Sequence, residues 1–106
     1  MTIARRGNPA WQIHPGEILR EEFMKPAQLT IYALAKGLHV TDPTVRNVVK
    51  KKAAVTPDMA ARLARFFGTT ELFWLNLQSA YAVKVVVAKK KSELSRIRPL
   101  AQAKGA

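Results

Sequence analysis

The chain has 106 residues, which is enough for one domain with one modest core. Its 18 Lys and Arg residues outnumber 7 Asp and Glu, and the net charge of +11 favours polyanionic partners, first nucleic acid and second an anionic membrane surface. With no cysteine, disulfides and thiolate sites are excluded, which fits a cytoplasmic protein. No apolar run approaches the ~18 residues that cross a bilayer, and no secretion signal is visible.

The N-terminal third of the chain predicts an arm followed by one helix. Residues 1–13 show no periodic pattern and are interpreted as an N-terminal arm. A helix begins near Pro15, because proline is tolerated in the first helical turn, and Pro26 stops it. The apolar side of this helix consists of Ile18, Leu19 and Phe23.

The next stretch has the spacing of two short helices joined by a turn. Thr30 and Thr41 are placed to cap these helices with their hydroxyls. Ala35 lies where the helices cross, and a turn residue, His39, follows four positions later. Branched apolar residues recur along the second helix to bury it against the first: Val45, Val48 and Val49. This spacing predicts a helix-turn-helix, which in a strongly basic chain most simply binds DNA.

The remainder of the chain predicts two further helices and a tail. Thr56-Pro57-Asp58 is a helix start, and Gly68 is a left-handed cap that ends the fourth helix. A fifth helix begins at Thr70 and draws bulk from Leu72, Phe73, Trp74, Leu75, Leu77 and Tyr81. It is extended through Val83–Val87, although β-branched residues also suit a strand, because a lone strand has no partner here. The predicted domain is therefore 14–88, with a basic tail over 89–106.

The outward face of the third helix supplies the candidate DNA contacts. Thr41, Thr44 and Asn47 share one face that fits a major groove, where asparagine pairs with adenine and threonine contacts base edges or a thymine methyl. Three lysines follow, suited to phosphates. The alternative is a solvated helix whose lysines only aid solubility. The full predicted set is Thr30, Thr41, Thr44, Arg46, Asn47, Lys50, Lys51 and Lys52.

Four blocks in register carry a family resemblance. They are His14-Pro15-Gly16-Glu17-Ile18-Leu19, Tyr32-Ala33-Leu34-Ala35-Lys36, Arg62-Leu63-Ala64-Arg65 and Phe73-Trp74-Leu75-Asn76-Leu77-Gln78. With them, residues 14–81 resemble the HigA-type antitoxins of type II toxin–antitoxin modules, a branch of the phage-repressor-like (XRE-family) helix-turn-helix proteins. The resemblance implies an all-α, five-helix bundle of the lambda-repressor-like type, a homodimer that represses its own promoter, and an mRNA-cleaving toxin of the HigB type held inactive in the complex.

Two other functions stay open at this point: a phage-type repressor without a toxin partner, and a basic helical module for membrane surfaces or RNA. The chain also departs from the family pattern. His39 replaces the usual turn glycine, Ile31 replaces a glutamine that contacts DNA in phage repressors, and Lys51 and Ala54 replace glycines after the recognition helix. The valine- and lysine-rich stretch 83–91 is unlike the acidic, alanine-rich helix expected there.

Other chemistry-bearing residues admit a plainer interpretation. Glu17 and Glu21 share a helix face that would suit a basic toxin, but they also suit ordinary first-turn charge paired with Arg20 and Lys25. Trp74 is expected in the core rather than in a binding stripe. The chain has two histidines and no cysteine, so we expect no metal site, no cofactor and no catalytic group.

Overall fold

The computed structural model describes residues 13–101, and within that range the chain is helical with no β-strand. The first helix, α1, spans Pro15–Ile18 and continues as the π-helical segment Leu19–Met24. The others are α2 (Ile31–Leu38), α3 (Asp42–Val49), α4 (Pro57–Phe67), α5 (Glu71–Lys89) and α6 (Lys91–Ser95). The predicted all-α bundle of five helices is confirmed, and α6 is a short addition inside the predicted tail.

Four helices begin at a threonine, as the sequence predicts. In each case the hydroxyl oxygen accepts a hydrogen bond from the backbone N–H three residues later, which satisfies one of the unpaired donors of the first turn. These caps are Thr30, Thr41, Thr56 and Thr70. The predicted end of α4 is also confirmed, since Gly68 has a φ of 75° and its N–H donates to the Ala64 carbonyl.

An aromatic cluster around Trp74 joins α1, α4 and α5. Trp74 is fully buried, and its ring lies 4.9 Å from that of Phe23 and 6.3 Å from that of Phe67 between centroids. Its indole N–H donates to the Thr69 hydroxyl at 2.8 Å, so the one polar atom of the ring is satisfied. The expectation that Trp74 serves the core is confirmed.

The fifth helix leaves the core along its length. The valine run 83–87 is helical, as predicted, but α5 buries only Trp74 and Leu77. Leu72, which the sequence assigned to the bulk of this helix, is instead 64% exposed. The reason is its helical position, since a residue two places before Trp74 points away from the bundle. Beyond Tyr81 most side chains face solvent.

The first and third helices approach each other closely at Gly16. A Cβ atom at this position would lie 1.9 Å from the carbonyl oxygen of Val48, so only glycine permits the observed packing. Glycine is therefore required here for contact between helices, whereas its own backbone angles are helical. This contact sets the distance between α1 and the C-terminal end of α3.

We expect Gly16→Ala to lower the free energy of unfolding by about 1–3 kcal/mol, because the added methyl group must push α1 away from a rigid backbone carbonyl. Gly37→Ala is the matched control. Its Cβ would meet the edge of the Phe66 ring at 2.5 Å, and we expect that side chain to move into solvent because it is 41% exposed. Chemical denaturation of both variants measures the difference, and equal losses would contradict the argument.

Candidate nucleic-acid interface

The eight residues of α3 divide into an apolar and a polar face. Val45, Val48 and Val49 are buried against the bundle, and α3 contacts both α1 and α2. Thr44, Asn47 and Lys50 are exposed. The polar face that the sequence predicted for base contacts is therefore exposed and can enter the major groove of DNA.

Two of the predicted base-contacting hydroxyls are bonded to each other. Thr41 Oγ1 accepts from the Thr44 backbone N–H at 3.3 Å and shares a hydrogen bond with Thr44 Oγ1 at 2.8 Å. Because each hydroxyl has one donor and two acceptor positions, the pair keeps hydrogen-bonding capacity for a base edge. The local contact limits the rotamers of both side chains and so fixes where that capacity points.

The predicted phosphate contacts do not share one environment. Lys50 and Lys52 are exposed at the end of α3. Lys51 has a φ of 64°, and its ammonium lies 2.9 Å from Glu17 Oε1 on α1. Thr30 is exposed at the start of α2, and Arg46 is half-buried in the last turn of α3. The structure thus leaves Lys50 and Lys52 exposed at the end of α3 and directs Lys51 toward α1.

The turn between α2 and α3 contains a non-glycine residue with positive φ. His39 has a φ of 61° and a ψ of 44°, which is the left-handed conformation that glycine adopts more easily than histidine. A left-handed L-residue costs about 1–2 kcal/mol. The N–H groups of His39 and Val40 donate to the carbonyls of Lys36 and Ala35, which closes the end of α2.

His14 is buried where α1, α3 and α5 meet. Its Nδ1 accepts a hydrogen bond from the Gly16 N–H at 2.9 Å, and its ring stands edge-on to Tyr81 with centroids 5.0 Å apart. Burial lowers the pKa of the imidazole, and the positive charge of Lys51 lowers it further. The neutral form is the one that accepts from Gly16, so His14 is a helix cap. Among the described residues no group of three potential ligands could hold a metal ion.

The acidic residues of α1 form ion pairs. Glu21 lies 3.0 Å from both Arg20 and Lys25, the two partners that the sequence suggested, and Glu17 pairs with Lys51. Each of these carboxylates is partly shielded from solvent. The pairs favour the interpretation of ordinary structural charge, and toxin contact through Glu17 and Glu21 remains a prediction.

Two polar side chains that support α3 were not identified from the sequence. Gln78 Oε1 accepts from the Val55 N–H at 2.8 Å and holds the segment that follows α3. Arg62 donates to the Leu38 carbonyl at 2.8 Å, at the turn that precedes α3. Both partners lie more than twenty residues away in the chain. No local pattern could have revealed either contact.

A short helix with one buried apolar face and one exposed polar face, placed directly after a tight turn, defines a helix-turn-helix domain. The Helix-turn-helix family (HTH_3) matches residues 21–75 of the chain. Virulence-associated protein I of Dichelobacter nodosus is 45% identical over 92 residues, which cover 87% of this chain and 85% of the relative.

Two solved structures share the fold and much of the sequence. Pseudomonas aeruginosa antitoxin HigA with the higBA promoter is 42% identical with a TM-score of 0.81, covering 84% of this chain and 98% of that one. Antitoxin GraA in complex with its operator is 39% identical with a TM-score of 0.78, covering 94% and 97%. The chain belongs to the helix-turn-helix family, in the branch that contains the HigA antitoxins, which are not enzymes. No helix within residues 13–101 combines the length and apolarity of a membrane span.

The lowered pKa of His14 predicts a pH-dependent stability. The unfolded state binds a proton near the ordinary pKa of 6.5 and the folded state only at lower pH, so protonation favours unfolding. The contribution of His14 to the free energy of unfolding is complete above pH 6.5. It is lost as the pH falls from there through the lower pKa of His14 in the folded state. His14→Asn keeps a capping side chain without the titration. Denaturant unfolding between about pH 5 and 8 should show a steeper loss in the parent than in this variant; parallel curves would refute the assignment.

Proposed function

We propose that this protein is a HigA-type antitoxin that binds operator DNA of its own module as a homodimer, represses its transcription and neutralises a cognate HigB-type toxin. The observation that carries the proposal is the exposed polar face of α3, held in a fold that matches an antitoxin HigA with its promoter at a TM-score of 0.81. A dimer would place two such helices about 34 Å apart, one turn of DNA, and so read a palindrome.

The proposed division of labour on DNA follows from side-chain chemistry. Thr44 and Asn47 are short and exposed in α3, so they would discriminate bases by close approach to their edges. Lys50 and Lys52 would neutralise phosphates and supply affinity without sequence information. The remaining proposed contacts are Thr30, Thr41, Arg46 and Lys51, and for Lys51 the pair with Glu17 has to open or be shared.

We expect Asn47→Ala to cost about 1–3 kcal/mol on the operator and little on a scrambled duplex. Lys50→Ala is the matched variant, which should weaken binding to both duplexes about equally and reduce the slope of log affinity against log salt by about one. Fluorescence anisotropy at two salt concentrations measures both effects. The reverse pattern would place Lys50 or Arg46 at the bases and α3 in another register.

The outer face of α5 supports the proposed homodimer. Leu72, Asn76, Ser79, Val83 and Val86 recur one helical turn apart, are all exposed and carry no charge; they are called the outer strip below. The aromatic residues Phe73 and Trp74 of α5 pack against Phe23 in the bundle, so they are not part of this outer face. A strip that has no charge and includes the apolar Leu72, Val83 and Val86 suits self-pairing in a chain of net charge +11, because like charges would oppose contact elsewhere.

Val83→Glu should dissociate the dimer, because it places a carboxylate within the outer strip, where the interface would bury it. Ala88→Glu adds the same charge to the same helix at an exposed position off the strip and should leave the dimer intact. Light scattering at tens of micromolar protein distinguishes them. A monomeric parent protein would contradict the proposed homodimer. A Val83→Glu variant that remains dimeric would show that the interface lies outside the outer strip.

Toxin neutralisation through Glu17 and Glu21 is proposed on charge complementarity, because an RNA-cleaving partner has to bind a polyanion. Reversing both residues to lysine should slow association with the toxin more than it speeds release. Glu71, an exposed carboxylate at the start of α5, is the control for reversal elsewhere. Unchanged association rates would indicate that Glu17 and Glu21 serve only as structural charge.

Co-expression with the adjacent reading frame tests toxin neutralisation itself. If the product of that reading frame does not arrest growth when expressed alone, a phage-type repressor is favoured.

Operator DNA as the proposed partner implies a cytoplasmic protein, associated with the nucleoid when bound. The competing function, a basic module for RNA or membrane surfaces, predicts that structured RNA or anionic vesicles compete with duplex DNA. Competition of both with a labelled operator duplex separates these functions. If structured RNA displaces the labelled operator from the protein at the same concentration as unlabelled operator does, the result would count against a repressor.

A further inference from the structure

One side chain of α4 binds the turn that leads into the recognition helix. The Arg62 Nη1 group donates to the carbonyl oxygen of Leu38 at 2.8 Å and to that of His39 at 3.3 Å. The Nε group of the same guanidinium donates to Asp58 Oδ2 at 2.9 Å. Asp58 lies one turn earlier on α4, so it orients the guanidinium from the same helix.

The two carbonyls belong to the end of α2, where helical backbone oxygens have no partner within their own helix. A positive charge at this end also interacts favourably with the helix dipole. His39 is the residue in the left-handed conformation, with a φ of 61°. Arg62 thus binds the turn at its strained residue and at the residue before it. The turn is the only covalent connection between α2 and α3, so its geometry sets the direction in which α3 leaves.

We propose that Arg62 is a positioning residue for sequence-specific DNA binding, which acts by holding the turn so that α3 presents Thr44 and Asn47 to base edges. The inference rests on the proposed DNA-binding function of α3. Close hydrogen bonds to bases depend on the direction of the helix, whereas phosphate contacts by long lysines tolerate small rotations. Loss of Arg62 therefore affects discrimination between sequences more than affinity for DNA in general.

A neighbouring arginine provides a matched control. Arg65 lies on the next turn of α4 and is exposed, and it takes part in no hydrogen bond or ion pair that the structure shows within residues 13–101. Arg62→Met and Arg65→Met remove the same charge from the same helix. Any difference between them reports the contacts with the turn and not the net charge.

The experiment measures dissociation constants of the parent and both variants on operator and scrambled duplexes at two salt concentrations, with thermal unfolding of each. Arg62→Met should reduce the ratio of operator to scrambled affinity by about tenfold or more, the size expected for losing a hydrogen bond from a charged group. Arg65→Met should weaken both duplexes equally and keep the ratio. Asp58→Asn should give a smaller loss of ratio, since the guanidinium remains but loses its orienting carboxylate.

An unchanged ratio in Arg62→Met, or an equal loss in both arginine variants, overturns the proposal. If Arg62→Met does not fold, Arg62→Lys decides, because it keeps the charge without the planar group that contacts two carbonyls and a carboxylate. A folded lysine variant with the parent ratio would refute the positioning role. Failure of the underlying function is distinct, because the parent protein itself would then not distinguish operator from scrambled DNA.

Discussion

A helix of eight residues is too short to hold its own direction, so α3 depends on the contacts around it. The valines of α3 are buried against the bundle, and Arg62 binds the turn that precedes the helix. Gly16 lets α1 approach the Val48 carbonyl at the C-terminal end of α3. The rest of the bundle supplies these contacts. α4 carries Arg62, α1 carries Gly16, and the aromatic cluster around Trp74 fixes α1 and α4 relative to α5.

Non-glycine residues with positive φ flank the recognition helix on both sides, and each is bound by another element. His39 precedes α3, and its carbonyl accepts from Arg62. Lys51 follows α3, and its ammonium pairs with Glu17. Left-handed residues persist only where the surrounding structure holds them. The residues that replace glycine on either side of α3 are therefore compatible with the fold because tertiary contacts from α4 and α1 stabilise their conformations.

The described surfaces of the molecule differ in charge, and each therefore suits a different kind of partner. Lys50 and Lys52 lie at the end of α3, which suits a polyanion, while the outer strip of α5 is uncharged and suits a second copy of the chain. The carboxylates of α1 pair with Arg20, Lys25 and Lys51. In the proposed homodimer, this strip would join two copies of a basic protein without placing their positive charges against each other.

The sequence alone determined the elements of this fold because their signals are local. Threonine at four helix starts, glycine at the end of α4 and the spacing of Ala35, Val45 and Val48 predicted the helices, the turn and the outward face of α3. These features depend on hydrogen bonds and periodicities within a few residues of chain. Prediction of Thr44 and Asn47 as exposed rests on the same helical period.

Only the tertiary structure decided how those elements support one another. The bonds from Arg62 to Leu38 and from Val55 to Gln78 join residues 24 and 23 positions apart. The exposure of Leu72 and the direction of Lys51 depend on how whole helices pack and on one left-handed backbone conformation. A periodic pattern identifies the face of a helix that is buried, but it does not identify the residue that this face meets, because that choice depends on the packing of the other helices.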